Sequence, residues 1–270
     1  MTLCIPVGSA QDIPASAAPA NTPPAHPAVV PQSEPPEKTI AHLQARIEAM
    51  QKRLADWAEL THFRDANRNL PPPKEGEKRV VFFGDSITSV WKLEDSFPGK
   101  GYINRGITSQ TTPQLLLRFR SDVLDLHPDV VVILAGTNDI AGNTGPMTTG
   151  QIEDNYASMA ELARVHGVHV IFASVLPVHG YTPRAQQLHQ LEQRPPEKIL
   201  ELNQWLKQNA AVYGYTYLDY FTPMVDERGF MQEALAPDGL HPNASGYAIM
   251  AKTLAPVMEK VVRGSKRGKK

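Results

Sequence analysis

The most constraining feature of the sequence is a pair of short runs of apolar, β-forming residues. Residues 80–83 are Val-Val-Phe-Phe, and residues 130–134 are Val-Val-Val-Ile-Leu. A strand that is apolar on both faces has to be covered on both sides, as in a parallel sheet between helical layers. Strand-like and helix-like segments alternate along the same region, with strands near 101–104, 168–175 and 215–219 and helices near 112–125, 151–166 and 197–213. This alternation predicts a three-layer α/β/α sandwich with a five-stranded parallel sheet.

A glycine, an acid and a hydroxyl follow the first run directly, at Gly84, Asp85 and Ser86. This order predicts a tight turn with a serine at its tip, at the carboxyl end of a strand, where open parallel sheets bind ligands. A serine in that place acts as a nucleophile if a base and oxyanion donors converge on it. The same residues also suit an ordinary turn that begins a helix, so this motif alone leaves both interpretations open.

Three further motifs follow in a fixed order. They are Asn104-Arg105-Gly106 after a short strand, Gly136-Thr137-Asn138-Asp139 after the central strand, and Asp238-Gly239-Leu240-His241-Pro242 near the C-terminus. Together with the serine turn, these blocks resemble the SGNH (GDSL-type) hydrolase family over residues 75–262. Two positions depart from the family pattern: Ile87 stands where the family name implies Leu, and Ser109 stands where relatives often carry Gly.

The resemblance implies a flavodoxin-like SGNH hydrolase fold and the hydrolysis of an ester through a covalent acyl-enzyme. It implies that Ser86 is the nucleophile, His241 the base and Asp238 the carboxylate that orients the base. It also implies three oxyanion donors, namely the backbone N–H groups of Ser86 and Gly106 and the side-chain amide of Asn138. The chemistry of these residue types agrees, because a carboxylate can accept Nδ1–H of a nearby histidine and fix its tautomer.

The substrate is less constrained than the reaction. The loops after Ser86 and Asn138 carry few large apolar side chains, so we expect short acyl groups on a polar alcohol, with a small-molecule ester or an acetylated carbohydrate as substrate. The alternatives are a thioesterase or lysophospholipase-type acylhydrolase, and a non-catalytic domain of this fold that binds carbohydrate or a partner. Because every reacting position is filled, the sequence speaks against the non-catalytic alternative.

Other polar residues have less specific interpretations. Asp85 and Asp139 are expected to fix their loops by accepting bonds from nearby backbone N–H groups. The segment 177–196 contains His179, His189, Arg184 and Arg194, for which a solvated loop position and a contact with substrate are both open and the solvated position is favoured. The resemblance implies no cofactor, and the sequence contains neither a Cys/His cluster with zinc spacing nor a glycine-rich phosphate loop.

Composition and hydropathy argue against a nucleic-acid partner and against a membrane-spanning helix. The chain has 27 basic and 28 acidic residues and a net charge of −1, which argues against a nucleic acid held by phosphate contacts. No apolar run approaches the ~20 residues that a membrane-spanning helix needs. The only cysteine is Cys4, so an internal disulfide is excluded, but this does not fix the compartment. The sequence does not determine an oligomeric state.

Composition also divides the chain into segments. Residues 1–37 are rich in Pro and Ala and are predicted to be disordered, with features of a signal-peptide remnant that favour an exported (periplasmic or secreted) protein over a cytoplasmic one. Residues 38–73 contain an amphipathic helix and a linker, and the helix is expected to dock on the catalytic domain, although a short coiled coil would need the same spacing of apolar residues. That domain comprises residues 74–263, and its last helix is expected to kink or end early at Pro256. Residues 264–270 form a basic tail.

Overall fold

The computed structural model of the chain describes residues 36–264. The disorder and the signal-peptide remnant predicted before residue 36, and nearly all of the basic tail, therefore lie outside the described residues. The chain forms two compact units, Met1–Ala49 and Met50–Lys270. The described part of the first unit is residues 36–49, which are the larger part of one helix, and the second unit contains the sheet and all four sequence motifs.

Five parallel strands form one sheet. They are β1 (Val80–Gly84), β2 (Ile103–Gly106), β3 (Val130–Leu134), β4 (His169–Ala173) and β5 (Thr216–Leu218). Their spatial order is β2-β1-β3-β4-β5, which is the flavodoxin-like order. The predicted α/β fold with a five-stranded parallel sheet is confirmed. The order reverses beside β1, and in sheets of this kind the crevice at such a reversal binds the ligand.

The helices precede, connect and follow these strands. They are α1 (Pro36–Ala55), α2 (Arg64–Arg68), α3 (Ser86–Ser89), α4 (Leu93–Ser96), α5 (Thr112–Asp122), α6 (Thr137–Ile140), α7 (Thr149–Val165), α8 (Pro183–Gln187), α9 (Gln190–Gln193), α10 (Pro196–Tyr213) and α11 (Ala244–Gly264). The helix α11 continues through Pro256, so the early end considered for this residue does not occur. None of the helices within residues 36–264 is long and apolar enough to cross a lipid bilayer.

The two central strands are buried along their whole length, as their composition requires. Neighbouring side chains of β1 pack into separate aromatic groups, because successive residues of a strand point to opposite faces. Phe82 lies 5.6 Å from Trp91 and 5.5 Å from Tyr102, whereas Phe83 lies 5.6 Å from Phe119, all between ring centroids. The strand is therefore held in the apolar core on both sides while its carboxyl end reaches the crevice.

The segment 38–73 contains two differently packed parts. Five apolar residues of α1 are 48% to 70% exposed, namely Ile40, Leu43, Ile47, Met50 and Leu54. The residues after α1 contact the catalytic domain, since Gln114 donates to the backbone carbonyl of Trp57 at 2.6 Å and Asn67 donates to Asp122 at 2.7 Å. The docking of α1 and the boundaries at residues 37, 73 and 263 remain predictions.

Candidate active site

The predicted nucleophile lies at the first turn of α3. The Oδ1 atom of Asp85 accepts a bond of 2.9 Å from the backbone N–H of Ile87 and so begins the helix at Ser86. A Cβ atom at Gly84 would lie 2.1 Å from the backbone oxygen of Leu134. Only glycine therefore fits where β1 ends against β3, and this close approach brings the serine turn beside the loop that carries Asn138.

The structure brings Ser86, His241 and Asp238 together. Ser86 Oγ lies 2.9 Å from Nε2 of His241, and Nδ1 of His241 lies 2.7 Å from Oδ2 of Asp238. Oδ1 of Asp238 accepts the backbone N–H groups of Leu240 at 3.0 Å and of His241 at 2.8 Å. The two carboxylate oxygens thus have separate partners, one on the imidazole and the other on the backbone of the same loop.

The charge state of Asp238 suits this arrangement. Burial raises the pKa of Asp238, but the hydrogen bonds from the side chain and backbone of His241 outweigh it, so the pKa is below its usual value. An ionised carboxylate accepts hydrogen bonds only, so it takes Nδ1–H of His241 and leaves Nε2 as an acceptor. The serine hydroxyl can then donate to Nε2, which is the arrangement that general-base activation of a serine requires.

His179 supports the acid loop, which is the segment 236–241 that carries Asp238, although the sequence favoured a solvated position for this histidine. The residue is fully buried, its backbone N–H donates to Gly239 O at 3.0 Å, and its Nε2–H donates to Ala236 O at 2.7 Å. Nδ1 accepts the backbone N–H of Tyr181, which fixes the neutral tautomer. A Cβ atom at Gly239, where φ is +82°, would lie 2.4 Å from His179 O, so the loop requires glycine there.

Arg194 is a second residue whose favoured solvated position is not observed. It is buried, its Nε donates to Thr137 Oγ1 at 3.0 Å, and its Nη1 donates to Gln190 Oε1 at 2.8 Å. The amide of Gln190 in turn donates to the backbone oxygen of Asp238 at 3.1 Å. Arg194 therefore connects the loop of Asn138 with the loop of Asp238, and no motif in the sequence indicated this.

The predicted oxyanion donor Asn138 is buried in the segment that follows β3. One hydrogen of its Nδ2 group is directed at the backbone oxygen of Gln110 at 3.1 Å. An amide nitrogen carries two hydrogens, so this bond orients the group and leaves the second one free to donate. Ser109, immediately before Gln110, has φ of +64°, the left-handed conformation that glycine adopts most readily.

The backbone N–H of Gly106, which the family resemblance implies as an oxyanion donor, has a hydrogen-bond acceptor within the protein. Its backbone N–H donates to Oδ1 of Asn104 at 2.9 Å, so this group already has an acceptor. A Cβ atom at Gly106 would lie 2.2 Å from the backbone nitrogen of Ser89. The structure therefore explains the glycine by the close packing of the end of β2 against α3. Asn104 strengthens this contact, because its Nδ2 donates to Thr88 O at 2.7 Å.

Two buried carboxyl groups adjoin the site. Asp85 and Asp139 accept the backbone N–H groups of Ile87 and Thr112, at 2.9 and 2.8 Å, as predicted for loop-fixing residues. Within the described residues, the Oδ2 atom of each has no hydrogen-bond partner. Burial is the main cause that raises the pKa of Asp85 to about 7 and that of Asp139 to about 6. No group of three or more metal-ligand side chains occurs in the described part of the chain.

Arg118 of α5 joins the ends of two strands beneath the site, and no sequence motif pointed to it. Its side chain is fully buried and donates to the backbone oxygens of Gly84 at 3.0 Å and Arg105 at 2.8 Å. It also donates to Gln110 Oε1 at 2.6 Å and to Asp122 Oδ2 at 3.1 Å. The guanidinium therefore fixes the residues that lead into the serine turn and into the loop beside Asn138.

Comparison with known proteins shows which family this chain is similar to. A model of the GDSL-like lipase/acylhydrolase family matches residues 82–249, from β1 into α11. The crystal structure of a GDSL-like lipase from Bacteroides thetaiotaomicron is 40% identical and superimposes with a TM-score of 0.69 over 75% of this chain and 98% of the other. The esterase TesA of Pseudomonas aeruginosa is 24% identical over 67% of this chain and 87% of its own length.

A third relative is the uncharacterized lipoprotein YqeF of Bacillus subtilis. It is 34% identical over 122 residues, which span 38% of this chain and 50% of YqeF. The chain thus matches half the length of this relative but nearly all of the Bacteroides lipase. The family model covers more than half of the 270 residues, including all four sequence motifs. The resemblance is confirmed: the chain belongs to the GDSL-like lipase/acylhydrolase family and is a hydrolase of this esterase and acylhydrolase class.

Proposed function

We propose that this protein hydrolyses carboxylic esters with short acyl groups through an acyl-enzyme on Ser86. The observation that carries the proposal is the continuous relay from Ser86 Oγ through His241 to Asp238, with contacts of 2.9 and 2.7 Å. A serine, a histidine and a carboxylate in this geometry form the constellation that recurs in serine hydrolases of unrelated folds.

The reaction has two halves. In the first, Ser86 Oγ bonds to the ester carbonyl carbon while His241 Nε2 takes the hydroxyl proton, and Asp238 stabilises the resulting imidazolium. His241 then gives this proton to the alkoxy oxygen, so the ester C–O bond breaks and the alcohol leaves. In the second half, water attacks the acyl-enzyme with His241 again as base, which releases the carboxylic acid and restores the serine.

The negative charge on the carbonyl oxygen needs donors that are already in place. The second hydrogen of Asn138 Nδ2 and the backbone N–H of Ser86, at the first residue of α3, are two such donors in the proposal. Gly106 can contribute its N–H only by exchanging its bond with Asn104 for one with the substrate. The third donor is therefore assigned to the loop 106–109, where the backbone N–H of Ser109 has no partner among the described residues.

The preference for short acyl groups is proposed from the polar surroundings of Asn138. Thr144 Oγ1 lies 3.0 Å from Thr111 Oγ1, and Asn143 Nδ2 donates to Ser109 O at 3.4 Å. Each methylene of a longer acyl chain gains about 0.8 kcal/mol only where it is buried in apolar surroundings. Polar loops on this side of the site offer little such surface, so acetyl and similar groups are expected to react best.

The test is a series of p-nitrophenyl esters from two to about sixteen carbons, measured with the wild type and Ser86→Ala. We expect kcat/KM to be highest for the shortest acyl groups and turnover to be absent in the variant. A fluorophosphonate probe should label the wild type and not the variant. No turnover and no labelling would favour the non-catalytic alternative, whereas a preference that climbs beyond eight carbons would favour a lysophospholipase or thioesterase substrate.

We also infer that the protein is exported. The support is the match to a Bacillus subtilis lipoprotein and the Pro/Ala-rich composition of residues 1–37. Fractionation of cells that express the full chain, with a cytoplasmic enzyme as marker, tests this inference. Recovery of the protein with the cytoplasmic marker would contradict it.

A further inference from the structure

A groove of about 720 Å³ lies between the α3–α4 segment and the first turns of α11. Its apolar lining consists of Val90, Trp91, Pro242, Ala244, Tyr247, Ala248 and Ala251. The aromatic rings of Trp91 and Tyr247 pack against each other with their centroids 5.3 Å apart, and Trp91 is 4% exposed. The groove is separate from the loops 106–111 and 137–145, none of whose residues line it.

One wall of the groove is hydrogen-bonded to the backbone of Ser86, and the other follows His241 directly along the chain. On one wall, the backbone N–H of Val90 donates to Ser86 O at 3.0 Å. On the other wall, Pro242 follows His241 directly, and the hydroxyl of Tyr247 donates to the backbone oxygen of Ile87 at 2.7 Å. Along the chain, the lining therefore begins one residue after His241 and four residues after Ser86, although neither of these two residues lines the groove.

The position of the groove relative to the proton relay indicates whether it lies beside the acyl half or the alcohol half of a bound ester. The alcohol oxygen receives its proton from Nε2 of His241 as it leaves, so the alcohol has to depart on the side of His241. The carbonyl oxygen points instead toward Asn138 and its neighbours. Because the groove is built from residues next to His241 and from none near Asn138, it lies on the side of the alcohol.

The polar atoms of the aromatic lining already have partners. Nε1–H of Trp91 donates to Ser96 Oγ at 2.8 Å, and the Tyr247 hydroxyl donates to Ile87. What these rings offer to a ligand is therefore mainly carbon surface. The sequence 91–95 predicted a polar alcohol, but Trp91 and Leu93 are buried while Lys92 is exposed. Lys92, Asp95, Ser96 and Asn243 also line the groove, so its lining is mixed, but seven of its eleven residues are apolar or aromatic.

We propose that this groove binds the alcohol half of the ester, and that this half carries an apolar chain or ring. The inference rests on the proposed ester hydrolysis and defines its substrate as a short acyl group on an apolar alcohol. Each methylene that enters the groove should raise kcat/KM by up to roughly fourfold, the factor that corresponds to its transfer from water. Val90, which is largely exposed, supplies apolar surface that such a ligand would cover.

The experiment compares two ester series on the full chain. One keeps the acetyl group and lengthens the alcohol from ethanol to octanol, and the other keeps ethanol and lengthens the acyl group. The wild type should show kcat/KM rising with alcohol length and not with acyl length. In Ala248→Trp, which fills the groove from an exposed position of α11, the ratio of octyl to ethyl acetate should fall by about tenfold or more.

Ser245→Trp is the matched control, since Ser245 is exposed on the same helix and does not line the groove. It should keep the wild-type ratio. Val90→Asp, a change at an exposed residue of the other wall, should lower the ratio as Ala248→Trp does and covers the case in which the tryptophan variant fails to fold. Unchanged ratios in both groove variants overturn the inference, as does an effect on the acyl series alone.

These outcomes differ from a failure of the proposed function. If Ser86-dependent hydrolysis occurs but alcohol length has no effect, only the groove assignment is wrong. If no ester of either series is hydrolysed and no fluorophosphonate labelling occurs, the proposed function fails and the groove assignment fails with it.

Discussion

Arg118→Met tests whether the site depends on one buried guanidinium. Arg118 and Asp122 form an ion pair of 3.1 Å, with side chains that are 0% and 2% exposed. Burial lowers the pKa of Arg118 to about 10, so the group is still charged at neutral pH. Methionine has a similar length and no charge, so the substitution removes the hydrogen bonds and the pair with little change in packing volume.

The expected loss in the free energy of unfolding follows from the groups left behind. Removal of one partner of a buried ion pair costs about 3–5 kcal/mol. The lower end applies here, because Asp122 keeps a bond of 2.7 Å from Asn67 and Gly84 O keeps a bond of 3.0 Å from the backbone N–H of Ile107. A loss of about 3 kcal/mol is a large part of the 5–15 kcal/mol that typically stabilises a domain.

Arg120→Met is the matched control on the same helix. Arg120 lies 3.9 Å from Asp125, and both side chains are 60% exposed. An exposed pair of this kind contributes about 0–1 kcal/mol. Urea unfolding followed by circular dichroism should therefore separate the two variants by about 2 kcal/mol or more.

A double variant distinguishes an unpaired charge from a general packing defect. In Arg118→Met/Asp122→Asn the buried carboxylate is neutral and its amide oxygen can still accept from Asn67, so we expect part of the stability to return. The reasoning is wrong if Arg118→Met loses no more than Arg120→Met, or if the double variant is less stable than Arg118→Met alone.

Three further predictions concern the site. Asn138→Ala should lower kcat by roughly 10²–10³ with a smaller change in KM, as for the loss of one oxyanion donor, and an unchanged kcat in a folded variant would leave Asn138 only a loop-fixing role. The wild-type kcat/KM should rise with pH, because the mechanism needs an unprotonated general base, and Asp238→Asn should cut it sharply, whereas a rate independent of pH from about 5 to 9 would contradict the mechanism. Asp85→Asn should increase the free energy of unfolding mainly at high pH. Burial raises the pKa of Asp85 to about 7 in the folded protein. The wild type therefore has its full stability below the pKa of Asp85 in the unfolded chain, and it loses stability as the pH rises toward 7. Urea unfolding near pH 4 and pH 8 measures this, and a difference between variant and wild type that is equal at both would refute it.

The sequence predicted the sheet because its information is local. The runs at β1 and β3 are apolar on both faces, and such strands occur where helices cover both sides. The strand order followed from the alternation of strands and helices together with the family resemblance. The catalytic motifs were also readable, since Asp238 and His241 are separated by two residues and their contact needs one loop only.

The residues that the sequence did not predict act over long separations. Gln114 and Asn67 contact residues 57 and 55 positions away, and Arg194 contacts Thr137 across 57 positions. No local pattern distinguishes an arginine that is buried under a loop from one that is solvated, so the solvated position favoured for Arg194 was wrong, whereas Arg184 and His189 of the same segment are exposed. His179 was misplaced for the same reason, because its acceptor Ala236 lies 57 residues further along the chain. Gly106 differs: the glycine was recognised, but only the structure shows that its N–H bonds Asn104.

Two of the buried arginines, Arg118 and Arg194, explain how short loops from separate strands can hold one geometry. Arg118 holds the carboxyl ends of β1 and β2 by their backbone oxygens, and Arg194 connects the segment after β3 with the acid loop through Gln190. A guanidinium suits this role because its five N–H donors lie in a fixed plane and it stays charged when buried. A reacting geometry has to be held within a fraction of an ångström, and a flexible loop alone cannot do this. The cost of burying two cations is thus offset by preorganisation of the proposed oxyanion and proton-transfer groups, which is why loss of Arg118 should affect stability and the site together.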